Sequence, residues 1–138
     1  MNKHPYLRAY LAGIAVPTAL LLVTMTCYTM IRYVANLPIP IERVIVFPMA
    51  LLPNLWGLWN MLYLKLRRKR PVSLGLFGLT LLPIVVVPVG YLVTRLLNFE
   101  IPYIVLWMLP VNLTIGMVLY YLIWKHFVGF LNAELGIT

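Results

Sequence analysis

Aspartate and glutamine are absent from this chain of 138 residues; serine and cysteine occur once each, as Ser73 and Cys27, histidine twice and glutamate three times. Hydrolysis by a nucleophile and its base, by paired carboxylates or by a bound metal draws on those residue types in groups. Here Ser73, His4, His126, Glu42, Glu100 and Glu134 are scattered along the chain. No catalytic residue, metal site or cofactor is therefore expected. A single cysteine excludes both an intramolecular disulfide and a Cys-x-x-Cys redox pair. His4 and His126 lie outside the long apolar runs, so neither is placed to ligate a haem within a membrane. Proton-coupled transport commonly uses an ionisable side chain inside the layer, whereas the glutamates fall at the ends of apolar runs or in the tail.

Charged residues make up only 10% of the chain and hydrophobic ones 63%, with a mean hydropathy of +0.94. A soluble domain of this size does not carry such a balance. The net charge of +8 comes from basic residues clustered between apolar runs. A nucleic-acid binder would instead present a continuous basic face, so the expected partner is a bilayer with anionic phospholipid and not a nucleic acid.

A crossing needs about 20 apolar residues. Four segments qualify, at approximately 9–34, 43–64, 73–97 and 101–124. The expected fold is an all-α integral membrane protein: a four-transmembrane-helix bundle in one membrane domain over residues 1–138, with a basic cytoplasmic loop at 65–71 and an interfacial or frayed tail at 128–138. The first segment is longer than the apolar core of a cleaved signal peptide and reads as a retained helix. Lys3, Arg8, Lys65, Arg67, Arg68, Lys69, Arg70 and Lys125 flank the spans on one side, against Arg32, Arg43 and Arg95 on the other. Basic residues resist translocation, so both termini are expected in the cytoplasm, in a membrane of prokaryotic type. The run of Lys65, Arg67, Arg68, Lys69 and Arg70 serves as a topology determinant on one reading and as a patch for anionic lipid on another, with each cation near an anionic leaflet worth about 1 kcal/mol.

A weak internal correspondence relates the two halves. Aligning the second span with the fourth pairs Glu42 with Glu100, Asn54 with Asn112 and Tyr63 with Tyr121; aligning the first with the third pairs Tyr28 with Tyr91 and Arg32 with Arg95. Two duplicated helical hairpins in parallel orientation would produce these matches, as would the shared grammar of membrane helices. Within each Tyr-x3-Arg element the side chains share a helix face. The group Tyr28, Arg32, Glu42, Tyr91, Arg95 and Glu100 is thus a candidate set of ion pairs or, alternatively, an outward-facing site for an anionic ligand, since a guanidinium grips phosphate through two hydrogen bonds.

Pro17, Pro48, Pro53, Pro83, Pro88 and Pro110 fall within the spans, which predicts proline-kinked helices. Asn54 and Asn112 lie about 18 Å in from their matching glutamates at 1.5 Å per residue, deep enough that each amide needs a partner. They act as glue between helices or line a path. Ala9, Ala12, Gly13, Ala15 and Ala19 offer one close-packing face, and Gly75 with Gly78 another. The functional expectation is a non-catalytic small subunit, assembly factor or lipid-binding partner of a membrane complex, working with a membrane-protein partner or as a homo-oligomer. The alternative is an oligomeric transporter or channel for a lipid or a small neutral or anionic solute.

Overall fold

Proline is harmless at the first position of a helix, where its missing N–H would have no intrahelical acceptor. Helix α1 begins on such a residue and runs Pro5–Tyr33. Helix α2, Leu52–Arg67, likewise carries Pro53 in its first turn. Helix α3 covers Leu74–Leu96, the five-residue helix α4 covers Tyr103–Trp107, and α5 runs Leu109–Glu134. The computed structural model describes residues 4–37, 50–96, 98, 100 and 103–137, and no strand occurs among them. Among the described residues three helices, α1, α3 and α5, are long and apolar enough to cross a membrane. Most of the 43–51 stretch of the second expected span, with Pro48, lies outside the described residues. What is described of that span starts at Leu52 and continues through Arg67, so the basic run begins within the helix.

Prolines act differently according to where they fall. Pro17 lies inside α1 without ending it. In α3, Pro83 lies within a π-helical turn at Leu82–Val86 and Pro88 just beyond it, and the N–H of Val87 bonds to the Leu82 carbonyl. The widened turn is one way a helix accommodates donors that proline removes. Pro110 interrupts instead: the fourth expected span is broken at Met108, between α4 and α5. Beyond the break α5 does not stop near Trp124 but passes through a second π-helical turn, Trp124–Val128, and continues to Glu134.

Packing follows the glycines. A Cβ on Gly13 would lie 2.8 Å from the Gly57 Cα, so α1 and α2 approach backbone to backbone. Gly78 of α3 leaves room for the indole of Trp124, and Gly75 for the ring of Tyr121. Close approach of this kind gains van der Waals contact between backbones that bulkier side chains would hold apart. Ala9, Ala12 and Gly13 are buried as the small-residue face implies, while Ala15 and Ala19 face outward.

The helices meet in the order α1, α2, α3, α5, and the end of α5 returns to α1, closing a ring at the basic end of the bundle. Trp124, Leu81, Val128 and Trp56 form its core, with Trp56 tilted against Trp124 at 5.2 Å and edge-on to Tyr120 at 5.1 Å. Trp59 stacks on Phe77 at 5.0 Å and donates its N–H to the Phe77 carbonyl. Away from this end burial falls off: neither the last ten residues of α3 nor Leu109–Ile123 of α5 contains a buried residue.

Replacing Gly78 with valine should lower the thermal midpoint in detergent, by the equivalent of roughly 1–3 kcal/mol or more for overpacking. Gly129→Ala is the control: its Cβ would meet nothing nearer than 3.5 Å, and the gain in helix propensity should leave the midpoint unchanged or raised.

Candidate functional site

Asn60 is fully buried among apolar side chains, where an unsatisfied amide would be costly. Its Nδ2 donates to the Ala9 carbonyl of α1 at 2.7 Å and to Oδ1 of Asn132 in α5 at 2.8 Å; Asn132 Nδ2 donates back to Asn60 Oδ1 at 3.2 Å. One short side chain thus joins three helices. Beside it, Arg8 donates to the Leu135 carbonyl at 3.2 Å. The described part of the tail, residues 128–137, expected to fray or lie on the interface, is helical through Glu134 and packs on α1. Its end is a Schellman motif: Gly136 adopts φ 65°, its N–H bonds to the Ala133 carbonyl, and the Ile137 N–H reaches back to that of Asn132. Ile137 then packs with Ala9, Ala12 and Leu64.

Sequence reasoning assigns no role to Asn132, and gives Asn60, with Thr114, the same two readings as Asn54 and Asn112, glue between helices or the lining of a path. A signal was present. Val128, Asn132 and Leu135 recur at helical spacing, and Gly136 followed by Ile137 is a helix stop with its apolar anchor.

Around this junction lies an open cleft of about 460 Å³, lined by residues that include Tyr63, Arg67, Val72, Ser73, Gly129 and Asn132. The Tyr63 hydroxyl donates to the Val72 carbonyl at 3.3 Å. The Ser73 hydroxyl makes no capping bond to α3. Lys65, Arg67, Arg68, Lys69 and Arg70 are all exposed; Arg68 lies over the Tyr6 ring at 5.5 Å. Arg67 alone among the five borders the cleft.

At the opposite end the two Tyr-x3-Arg elements have the same local geometry. Arg32 donates to the Tyr28 hydroxyl at 2.5 Å and Arg95 to that of Tyr91 at 3.0 Å, each guanidinium also lying near its tyrosine ring. A left-handed asparagine follows each helix, Asn36 at φ 53° and Asn98 at φ 51°. Glu42 lies outside the described residues, and exposed Glu100 forms no ion pair with Arg95. For Arg95 the partner is thus Tyr91 and not Glu100, while the pairing expected of Glu42 lies outside the described residues.

Asn54 and Asn112 are not brought together. Asn54 accepts a hydrogen bond from the Tyr10 hydroxyl of α1 at 2.6 Å. Asn112 is exposed, and its side chain has no hydrogen-bond partner among the described residues. No group of three or more His, Cys, Asp or Glu residues that could hold a metal ion occurs among the described residues. Trp124 Nε1 is a buried donor without an acceptor among the described residues. Comparison with protein-family models, with curated proteins and with solved structures gives no match.

Asn60→Leu and Asn132→Leu should each destabilise the fold by about 1–3 kcal/mol, because each leaves its partner amide buried and unpaired. The double variant should lose less than the sum of the singles, which a double-mutant cycle on thermal or denaturant unfolding in detergent would measure. Strict additivity would mean that the two amides do not act as a pair.

Proposed function

We propose that this chain is a multi-pass membrane protein with both termini in the cytoplasm, acting without catalysis as a small subunit, assembly factor or lipid-binding partner of a larger membrane complex. The observation that carries the reading is Asn112, an exposed amide with no side-chain partner among the described residues, on a helix whose first fifteen residues bury nothing. It lies about 20 Å along the axis from Lys125 at 1.5 Å per residue. With Lys125 at one membrane surface, that depth falls inside a hydrocarbon layer of about 30 Å. An amide facing lipid there is costly, and a neighbouring transmembrane helix from another protein is the usual remedy.

The same face supports a second reading, an oligomer of this chain that passes a lipid or a small neutral or anionic solute. On the opposite side of α5 from Asn112, a largely apolar groove of about 490 Å³, lined by Leu79, Thr114, Met117, Val118 and Tyr121, offers such a solute room. The Thr114 hydroxyl at its edge is spent on the Pro110 carbonyl.

A photocrosslinker at Ile115, used in native membranes, should capture a defined heavier partner, and Asn112→Leu should reduce that adduct about tenfold, as expected for loss of a desolvated polar contact. Adducts of the chain with itself alone, accompanied by flux in proteoliposomes that Asn112→Leu lowers, would replace the subunit reading with the oligomeric transporter. An Ile115 crosslinker that captures only lipid would remove both.

A further inference from the structure

We infer that the cleft at the basic end is a binding site for the phosphate group of an anionic phospholipid. This deepens the lipid-binding part of the proposed function and rests on its placement of the basic end at a membrane surface.

The cleft is rich in unspent donors. Among the described residues Arg67 is the only charged one in its lining, and its guanidinium forms no hydrogen bond or ion pair with any of them. The Ser73 hydroxyl is not used as a helix cap. Asn132, 3% exposed, spends one amide hydrogen on Asn60, and its second has no partner among the described residues. Acceptors are scarce by comparison: no carboxylate is among the described residues that line the cleft, and the Val72 carbonyl already receives the Tyr63 hydroxyl. Arg67, Ser73 and Asn132 bordering one space, with no carboxylate among its described lining residues, suit a ligand that is anionic and supplies several acceptor oxygens. Phosphate has that chemistry.

The surroundings indicate that the phosphate belongs to a lipid. Phe127 and Phe130, on either side of Gly129 in sequence, are each 62% exposed, and Leu76 of α3 is 56% exposed. Apolar side chains left open at this end suit acyl chains. Gly129 keeps space for the headgroup, since a Cβ there would meet only Leu74 and the Trp124 carbonyl, at 3.5 and 3.6 Å.

The test is native mass spectrometry of the full chain in mild detergent, offered equal amounts of phosphatidylglycerol and phosphatidylcholine. Arg67→Gln removes the cation, Gly129→Leu fills the space without changing charge, and Lys125→Gln removes a charge at the same end outside the cleft. Thermal midpoints in detergent identify any variant that has not folded, and the exposed Arg67 provides a substitution that leaves the core intact. We expect the wild-type chain to retain phosphatidylglycerol preferentially, Arg67→Gln and Gly129→Leu each to reduce retention about tenfold, and Lys125→Gln to leave it nearly unchanged. Millimolar inorganic phosphate should not displace the lipid; displacement would overturn the lipid assignment in favour of a free anion. Equal losses with Arg67→Gln and Lys125→Gln, with Gly129→Leu like wild type, would overturn the cleft and leave diffuse lipid attraction standing. No preference for phosphatidylglycerol in the wild-type chain would overturn the cleft and the lipid-binding reading together, while the partner reading would still be decided by crosslinking at Ile115.

Discussion

The Asn60 amide has to be satisfied where no water reaches it, and the arrangement of the basic end follows from how that is done. Asparagine has a short side chain, so it can reach the Ala9 carbonyl only if the backbones of α1 and α2 nearly touch. Gly13 and Gly57 permit this, and a Cβ on Gly13 would stand 3.0 Å from that of Asn60. Once α2 is held against α1, the remaining capacity of the amide is met by Asn132, which requires α5 to extend well past its expected end. The long final helix, the docked tail and the closed ring are consequences of one buried polar group.

The two ends of the bundle consequently have different properties. At the basic end aromatic rings fill the core and polar side chains meet one another, leaving a small cleft bordered by unspent donors. Towards the other end the helices expose apolar side chains over most of their circumference, and Asn112 with them. In a bilayer the first pattern stabilises the chain alone, whereas the second needs lipid or another protein to cover it.

The relation between the hairpins is carried by local geometry more than by packing. Both Tyr-x3-Arg elements form the same bond between arginine and tyrosine, and both helices are followed by a left-handed asparagine. These are four-residue effects, available wherever the pattern occurs. The tertiary contacts do not correspond: the positions matching Gly78 and Trp124 in the first hairpin are Ala15 and Leu66, both exposed. Two similar hairpins have been closed through different surfaces.

Composition and hydropathy by themselves determined that the chain is helical with segments long enough to cross a membrane, because backbone groups in hydrocarbon must bond within their own helix. The small-residue pattern marked Ala9, Ala12, Gly13, Gly75 and Gly78, which are buried, but equally Ala15 and Ala19, which face outward, so lack of bulk permits close approach without deciding where it occurs. Helix ends were less legible. Pro110 breaks a span that hydropathy reads as continuous, and the π-helical turn at Trp124–Val128 carries α5 beyond the apolar run. Which polar residues matter was decided by tertiary structure alone. Asn54, Asn60, Asn112 and Asn132 are chemically identical in sequence, yet they end respectively on a tyrosine, in a three-helix junction, without a side-chain partner among the described residues, and beside a cleft. An amide takes its role from what lies within about 3 Å of it, and helix packing sets that distance.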